Sequence, residues 1–247
     1  VEEYQMPACS NDLHFNVNVQ MCYWPVYAAN CPELLRPLFE KLKEWEPRLR
    51  RNAELLFGIE DGLYLPMSVT DRGEWIGNYW ASFSDFATTG WAAQLMWLYY
   101  RYSLDTEFLR ETAYPFMKGS MRVYEAVLEE EDGRMVLPMG TSPEYNWGML
   151  DAAGKDASFQ LACIHFLLES LITAADLLGV DAEDAEAWRR LKEKVPACST
   201  FTAPDPYPLG AQRGPGAELD ELPRIAVYDG QDLEYSHRHH SHLAALH

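Results

Sequence analysis

The stretch DASFQLACIHFLLESLITAADLLG, residues 156–179, indicates the fold more strongly than any other part of the chain. Its apolar residues recur every three or four positions, as they do on the buried face of a helix. That face carries Phe159, Cys163, Phe166, Leu167, Leu171, Ala174 and Leu178. Gly179 follows, and glycine commonly ends a helix because it adopts the left-handed conformation without strain. The pattern predicts one long core helix.

A second helix is predicted directly afterwards, in DAEDAEAWRRLKEKV. Asp181 stands at its start as the expected cap, and Pro196 lies just beyond its end. Acidic residues come early in this segment and basic residues late, as the helix dipole favours. The two helices would form a hairpin.

Two further helical regions lie upstream. PELLRPLFEKLKEWEPRLRRNAELLF, residues 32–57, stops at Gly58, and Pro37 and Pro47 are expected to divide or kink it. FATTGWAAQLMWLYYRY (86–102) and TEFLRETAYPFMKGSMRVYEAVLEEE (106–131) would form another hairpin, joined by SLD. The first of these places an apolar stripe along one face, made of Trp91, Leu95, Leu98 and Tyr102. Few strands are predicted.

Composition limits the possible functions. The 247 residues are 48% hydrophobic and 13% aromatic, which is enough for a large core in a globular protein. A formal charge of -18 repels phosphate backbones and anionic lipids, so we expect neither nucleic acid nor a membrane as partner. Five widely spaced cysteines without a CxxC pair indicate neither a disulfide framework nor a zinc site.

The compartment and the oligomeric state stay open. No uninterrupted run of about 18 apolar residues occurs, and the start of the chain lacks the layout of a signal peptide. The chain begins without Met and ends on SHLAALH, which leads us to expect that both ends continue in a longer protein. Secreted, periplasmic and cytoplasmic locations therefore all remain possible.

Three long polar connections separate the helices, at residues 58–85, 132–155 and 197–238. Loops of this length in a compact domain usually carry function. We expect a scaffold of helical hairpins with functional loops at one end, and no linker that would divide residues 1–247 into two domains.

One candidate acid lies in LPMGTSPEYNWG, residues 137–148. Glu144 stands close to Tyr145 and Trp147, and apolar surroundings raise the pKa of a carboxyl group until it can donate a proton near neutral pH. The plainer interpretation is a loop glutamate that caps a helix or pairs with an arginine, and the residues alone favour it. Asp71, Glu74 and Asp85 have similar settings.

HFNVNVQM, residues 14–21, alternates polar and apolar side chains without a break. An extended strand is predicted, with His14, Asn16, Asn18 and Gln20 on one face. Such a face could line a polar pocket. Alternatively, its amides could simply satisfy buried backbone groups.

Histidines cluster near the end of the chain, at His237, His239, His240 and His242. Imidazole is a common zinc ligand, but no second element with a recognisable ligand motif accompanies them. Hydrogen bonds to a hydroxyl-rich ligand are the favoured interpretation, because neutral imidazole both donates and accepts. Four tryptophans in or beside the loops could stack on a sugar ring: Trp24, Trp75, Trp80 and Trp147.

Together these motifs resemble glycoside hydrolase family 95, the inverting α-L-fucosidases. The resemblance rests on five segments in order: NVNVQMCYWP (16–25), TDRG (70–73), FLRETAYPFMKG (108–119), TSPE (141–144) and HRHHSHL (237–243). It extends from about Asp12 to the last residue. It implies an all-α, six-hairpin (α/α)6-barrel that is incomplete in this chain, with a β-rich domain before it and further barrel helices after it.

The resemblance also implies roles for individual residues. Glu144 matches the general acid, and Asn16 and Asn18 match the amides that hold the attacking water. The general-base carboxylate of the family is expected beyond the end of this chain. The residues expected to bind an oligosaccharide substrate are His14, Trp24, Asp71, His239 and His242. No cofactor and no metal are expected.

Three positions depart from the family pattern. Cys22 stands where asparagine is usual, Tyr145 follows Glu144 where asparagine is usual, and AQLMW lacks an expected histidine. These changes affect the sugar pocket, so L-fucose, L-galactose and a pectin-type glycan stay open as substrates. Two other functions also stay open: a catalytically silent carbohydrate-binding relative, and a metal-dependent enzyme that uses the cluster from His237 to His242.

Overall fold

The computed structural model describes residues 12–77, 83–143, 145, 152–201 and 224–230, and these are mostly helical. The helices are α1 (Asn18–Tyr23), α2 (Pro25–Ala28), α3 (Arg36–Phe57), α4 (Ala87–Ser103), α5 (Thr106–Phe108), α6 (Tyr114–Val127), α7 (Ser158–Leu178) and α8 (Ala182–Lys194). A 3-10 turn over Pro32–Leu35 precedes α3, and a π-helical turn over Leu109–Ala113 precedes α6.

Eight short strands form four antiparallel pairs among the described residues. The pairs are β1 (Leu13–His14) with β2 (Ser68–Val69), β3 (Glu129–Glu131) with β4 (Arg134–Val136), β5 (Gly140–Thr141) with β6 (Ala153–Gly154), and β7 (Thr200–Phe201) with β8 (Arg224–Ile225). The β3–β4 and β5–β6 pairs lie in the connection between α6 and α7, β2 lies in the connection between α3 and α4, and β7 and β8 both follow α8.

The core is built around α4 and α7, which pack against each other. Residues 87–97 of α4 and 158–164 of α7 are all buried, as is typical of helices enclosed by protein on every side. In contrast, α6 and α8 each keep a polar face, which on α6 carries Lys118 and Arg122. The apolar stripe predicted on α4 is therefore only part of its buried surface, and the stripe's last member, Tyr102, is exposed.

Both predicted hairpins are confirmed, as are the glycines that end two of the helices. Gly58 follows α3 with φ 70°, and Gly179 follows α7 with φ 66°. The division expected within residues 32–57 occurs at Arg36, where the 3-10 turn gives way to α3. Pro37 opens that helix and Pro47 lies inside it without ending it.

Two local predictions were wrong. The helix predicted through residue 131 ends at Val127, because the next residues pair as β3 and β4 around Asp132 and Gly133, which have φ 50° and 81°. Two adjacent residues with positive φ are typical of a tight β-hairpin turn. Asp181 does precede α8, but its side chain does not cap that helix. Its carboxylate instead accepts hydrogen bonds from Lys118 Nζ (2.7 Å) and the Tyr114 hydroxyl (2.9 Å).

By length and hydropathy alone, α7 could cross a membrane, although the sequence shows no uninterrupted apolar run. Its packing against α4, α6 and α8 is that of a core helix, and 61% of its most apolar window is buried. Burial on this scale accounts for its apolar composition without a bilayer.

Candidate active site

The strand predicted over residues 14–21 was wrong. β1 ends at His14, the chain turns, and α1 begins at Asn18. Gln20 closes the turn, because its Oε1 accepts from the Val17 backbone N–H (3.2 Å) and its Nε2 donates to the Phe15 carbonyl (2.7 Å). A glutamine that reaches back in this way competes with the extended conformation.

The turn separates the two asparagines that the strand would have placed together. Asn16 is fully buried, whereas Asn18 is exposed on the first turn of α1. Neither the Oδ1 nor the Nδ2 of Asn16 has a hydrogen-bond partner within the described ranges. An unpaired buried amide costs about 1–3 kcal/mol, so it needs an explanation in a native fold. A water molecule or a sugar hydroxyl would satisfy it.

His14 lies beside this turn on β1, opposite Ser68 of β2. Its Nδ1 is 3.1 Å from the Asp12 carboxylate and 3.1 Å from the Ser68 hydroxyl, and its side chain is 10% exposed. In the tautomer that carries its proton on Nδ1, this nitrogen donates to the carboxylate and Nε2 is an acceptor. His14 is thus held between Asp12, which directly precedes β1, and Ser68 of β2.

Trp24 lies at the junction of α1 and α2 and is half-buried. Its ring centroid is 6.1 Å from that of Trp91 in α4, which in turn lies 4.9 Å from Phe159 in the first turn of α7. A row of aromatic rings therefore joins the start of the chain to both core helices.

A buried polar cluster lies between α4, α6 and α7. Gln160 Nε2 donates to the Thr141 carbonyl (2.9 Å) and to the Asp85 carboxylate (3.2 Å). The Tyr124 hydroxyl donates to Gln160 Oε1 (3.2 Å). Burial raises the pKa of Asp85 to about 7. Of the compared acids that the structure describes, Asp85 is the one that is buried.

The other two compared acids that the structure describes face solvent. Asp71 is exposed in the turn after β2, where its backbone carbonyl accepts from Trp45 Nε1 (3.2 Å). Glu74 forms an ion pair with Arg48 (3.2 Å) in which both side chains are about half exposed. The structure therefore does not bring Asp71 into the buried cluster.

α4 and α7 begin at the same end of the core. Asp85 precedes α4 and contacts Gln160 in the first turn of α7, and Trp91 contacts Phe159. The N-terminal ends of the two helices therefore lie next to each other. Their shared N-terminal end carries the buried cluster and the aromatic row.

Residues 65–69 connect the Asn16 turn to this same end. The Phe15 N–H donates to the Met67 carbonyl (2.7 Å), and the Leu65 N–H donates to the Thr89 hydroxyl in the first turn of α4 (2.8 Å). This segment tethers the turn to the start of α4. We call the region formed by His14, Asn16, Trp24, Asp85 and Gln160 the candidate site.

Several predicted site residues lie outside the described residues. They are Glu144, the histidines His237, His239, His240 and His242, and the tryptophans Trp80 and Trp147. On either side of Glu144 the chain is described: Ser142 is buried, and its carbonyl accepts from the Tyr145 N–H (3.1 Å). In the part of the chain that the structure describes, no group of three His, Cys, Asp or Glu residues could hold a metal ion. The histidine cluster is not tested by that finding.

The family sequence model of the glycosyl hydrolase family 95 catalytic domain matches residues 2–247, almost the whole chain. The chain belongs to glycosyl hydrolase family 95. The family indicated by five short motifs in the sequence is thereby confirmed, and with it a largely helical glycosidase domain.

Two curated relatives agree with this family. "Probable alpha-fucosidase A" of Aspergillus niger is 34% identical over 149 residues, which cover 58% of this chain and 19% of that protein. "Alpha-L-fucosidase 2" of Arabidopsis thaliana is 25% identical over 244 residues, which cover 94% of this chain and 26% of that protein. The chain thus spans about a quarter of the length of the relative that it matches over most of its own residues.

The structure adds one residue to the candidate site that the sequence did not indicate. Gln160 joins the TSPE segment to α4 and α6 through three hydrogen bonds. The available signal was a long polar side chain within residues 158–164, which are otherwise apolar or small. A polar residue in a fully buried helical turn requires partners, although the sequence does not name them.

A surface groove lies away from the candidate site. Its volume is about 370 Å³, and it lies between α3 and the π-helical turn, with Phe39, Tyr99 and Phe108 among its lining residues. None of the predicted site residues that the structure describes lines it.

Proposed function

We propose that the protein containing this chain is a glycoside hydrolase that removes terminal α-L-fucose, or a related α-L-sugar such as L-galactose, by inversion. The amide of fully buried Asn16, which has no hydrogen-bond partner among the described residues, carries the proposal. Inversion requires a water held on the sugar face opposite the acid, and an amide beside that site can orient the water. The names of both relatives, each an alpha-fucosidase, support fucose as the sugar.

The fold proposed for the complete domain is an (α/α)6-barrel. In a barrel of hairpins, each hairpin contributes one inner and one outer helix, so the inner helices all point the same way. Three observations support this arrangement: the N-terminal ends of α4 and α7 are adjacent, both helices are completely buried at that end, and α6 and α8 keep polar faces. The site would lie at the mouth, where α4 and α7 begin.

Glu144 is proposed as the general acid. Its proton passes to the glycosidic oxygen as the bond to the sugar's anomeric carbon breaks. Asn16 orients the water whose oxygen attacks that carbon from the other face, and Asn18, which the turn separates from Asn16, remains a prediction for the same role. An amide cannot take the water's proton, so a carboxylate is proposed as the base. About 6.5–9.5 Å between acid and base leaves room for the water.

The sugar contacts are proposed for His14 and Trp24 among the described residues. With Nδ1 bound to Asp12, the Nε2 of His14 can accept from a sugar hydroxyl. Trp24 is half-buried and supported by Trp91, so its remaining surface could pack against the apolar side of a sugar ring. His239 and His242 remain predictions, as does Asp71, whose exposed position gives it no support.

The test is proton NMR of the full-length protein incubated with 2'-fucosyllactose, following the anomeric signal of the first sugar released. Initial release of the β-anomer, absent in Glu144→Gln, is the expected result. Initial release of the α-anomer would contradict inversion, and full activity in Glu144→Gln would contradict the acid assignment. A matched L-galactoside in a second tube decides between the two sugars.

A further inference from the structure

The Gln160 amide has all of its hydrogen-bonding groups engaged by three different parts of the chain. Both N–H bonds of Nε2 are used, one by the Thr141 carbonyl and one by Asp85, and Oε1 accepts from Tyr124. A flipped amide would point its oxygen at two acceptors, so only one orientation fits. All four side chains are nearly or fully buried.

The strand that Gln160 contacts leads directly into the TSPE segment. Thr141 pairs with Ala153 across β5 and β6, and residues 142 and 143 separate it from Glu144. β5 also lies close against the glutamine: a Cβ built on Gly140 would be 3.1 Å from Gln160 Cγ. The hydrogen bond from Gln160 in α7 goes to the backbone carbonyl of Thr141. The Thr141 hydroxyl has no partner within the described ranges.

We propose that Gln160 is a positioning residue for the general acid: its amide fixes the Thr141 carbonyl, three residues before Glu144. This inference rests on the proposed role of Glu144. Gln160 touches neither the sugar nor the water; it sets where the acid-bearing segment leaves the core. A general acid acts only within hydrogen-bond reach of the leaving oxygen, so a small displacement of its segment costs rate.

The test compares two substrates that differ in their need for acid. In 2'-fucosyllactose the leaving group is lactose, which would depart as a strongly basic alkoxide unless an acid protonates its oxygen. In α-L-fucosyl fluoride the leaving group is fluoride, a weak base that departs with little help from an acid. Gln160→Met removes the three hydrogen bonds at similar volume. In the full-length protein we expect kcat/KM to fall about 10- to 100-fold on 2'-fucosyllactose and less than about threefold on the fluoride.

Three variants control the result. In Glu144→Gln, kcat/KM should fall further on 2'-fucosyllactose and again change little on the fluoride. Ser158 is also buried at the start of α7 but lies outside the cluster, so Ser158→Ala should leave kcat/KM unchanged on both substrates. Tyr124→Phe removes only the hydroxyl that orients the amide and should show a smaller selective loss. It serves as the test variant if Gln160→Met does not fold.

The outcomes separate the inference from the function on which it rests. An equal loss on both substrates in the Gln160 and Tyr124 variants, with a selective loss in Glu144→Gln, would overturn the inference alone. Without a selective loss in Glu144→Gln, the proposed acid and this inference would fall together. If the Gln160, Tyr124 and Glu144 variants all lose activity selectively on 2'-fucosyllactose, the result supports both the acid assignment and the positioning role.

Discussion

The side chain of Gln20 holds Val17 in a backbone conformation that a β-branched residue rarely adopts. Val17 has φ 129° and ψ -34°, and its N–H donates to Gln20 Oε1 at 3.2 Å. Backbone strain of this kind costs on the order of 1–3 kcal/mol and persists only where the surroundings enforce it. The strained residue lies between the two asparagines proposed to hold the water.

We therefore expect Gln20→Leu to disturb this turn. The substitution leaves the Val17 N–H and the Phe15 carbonyl without their partner, which should lower the free energy of unfolding by about 2 kcal/mol. Activity should fall further than the loss of folded protein explains, because the turn carries Asn16. Denaturant unfolding and kcat on the same samples measure both. Met21→Ala, at a neighbouring exposed residue, is the control and should change neither.

Asn16→Leu should separate stability from function. The two side chains have similar volumes, and the substitution removes a buried amide that has no partner within the described residues. We expect the unfolding free energy to rise by about 1–3 kcal/mol while activity falls by at least about 100-fold. Thermal unfolding and kcat/KM on 2'-fucosyllactose test this. A less stable but active variant would show that Asn16 serves the fold alone.

The helices and two of their ends could be predicted from the sequence, because period and glycine act locally. The 158–178 helix and its stop at Gly179 follow from neighbouring residues. The hairpin at Asp132 and Gly133 was also encoded locally, but the three glutamates before it suggested helix. For the HFNVNVQM segment, alternation suggested a strand, and the reach of Gln20 decided otherwise.

The candidate site could be predicted only in part, because its contacts join distant residues. Gln160 contacts Asp85, which lies 75 residues away in sequence, and no local pattern specifies that pairing. The motif resemblance indicated Asn16 without showing that its amide is buried and lacks a partner in the part of the chain that the structure describes. The burial that raises the pKa of Asp85 likewise depends on how α4, α6 and α7 pack together.

Substitution by alanine should change the free energy of unfolding in opposite directions at two glycines, one in α4 and one in α6. A Cβ on Gly90 of α4 would lie 3.7 Å from Tyr124, an ordinary contact, so Gly90→Ala should stabilise by about 0.5–1 kcal/mol. A Cβ on Gly119 of α6 would lie 2.6 Å from buried Leu63, so Gly119→Ala should destabilise by about 1–3 kcal/mol. Thermal unfolding compares the pair, and a shift of the same sign in both would contradict the packing described.

Asp85 should make the stability of the domain depend on pH. Burial raises its pKa from 3.8 to about 7 in the folded state. Below pH 3.8 both states hold the proton and the group contributes nothing against folding. Between pH 4 and 7 the unfolded chain releases the proton while the folded protein retains it. Stability therefore falls as pH rises through this window, by at most about 1.4 kcal/mol per pH unit.

Asp85→Asn isolates this contribution, because asparagine keeps an acceptor for Gln160 and does not titrate. The difference in unfolding free energy, wild type minus variant, should decrease from pH 4 to pH 7 and level off above it. Every other titrating group is common to both proteins and cancels from the difference. Parallel stability curves across the window would mean that Asp85 ionises as freely in the folded protein as in the unfolded chain, which its burial among Gln160, Tyr64 and Tyr124 argues against.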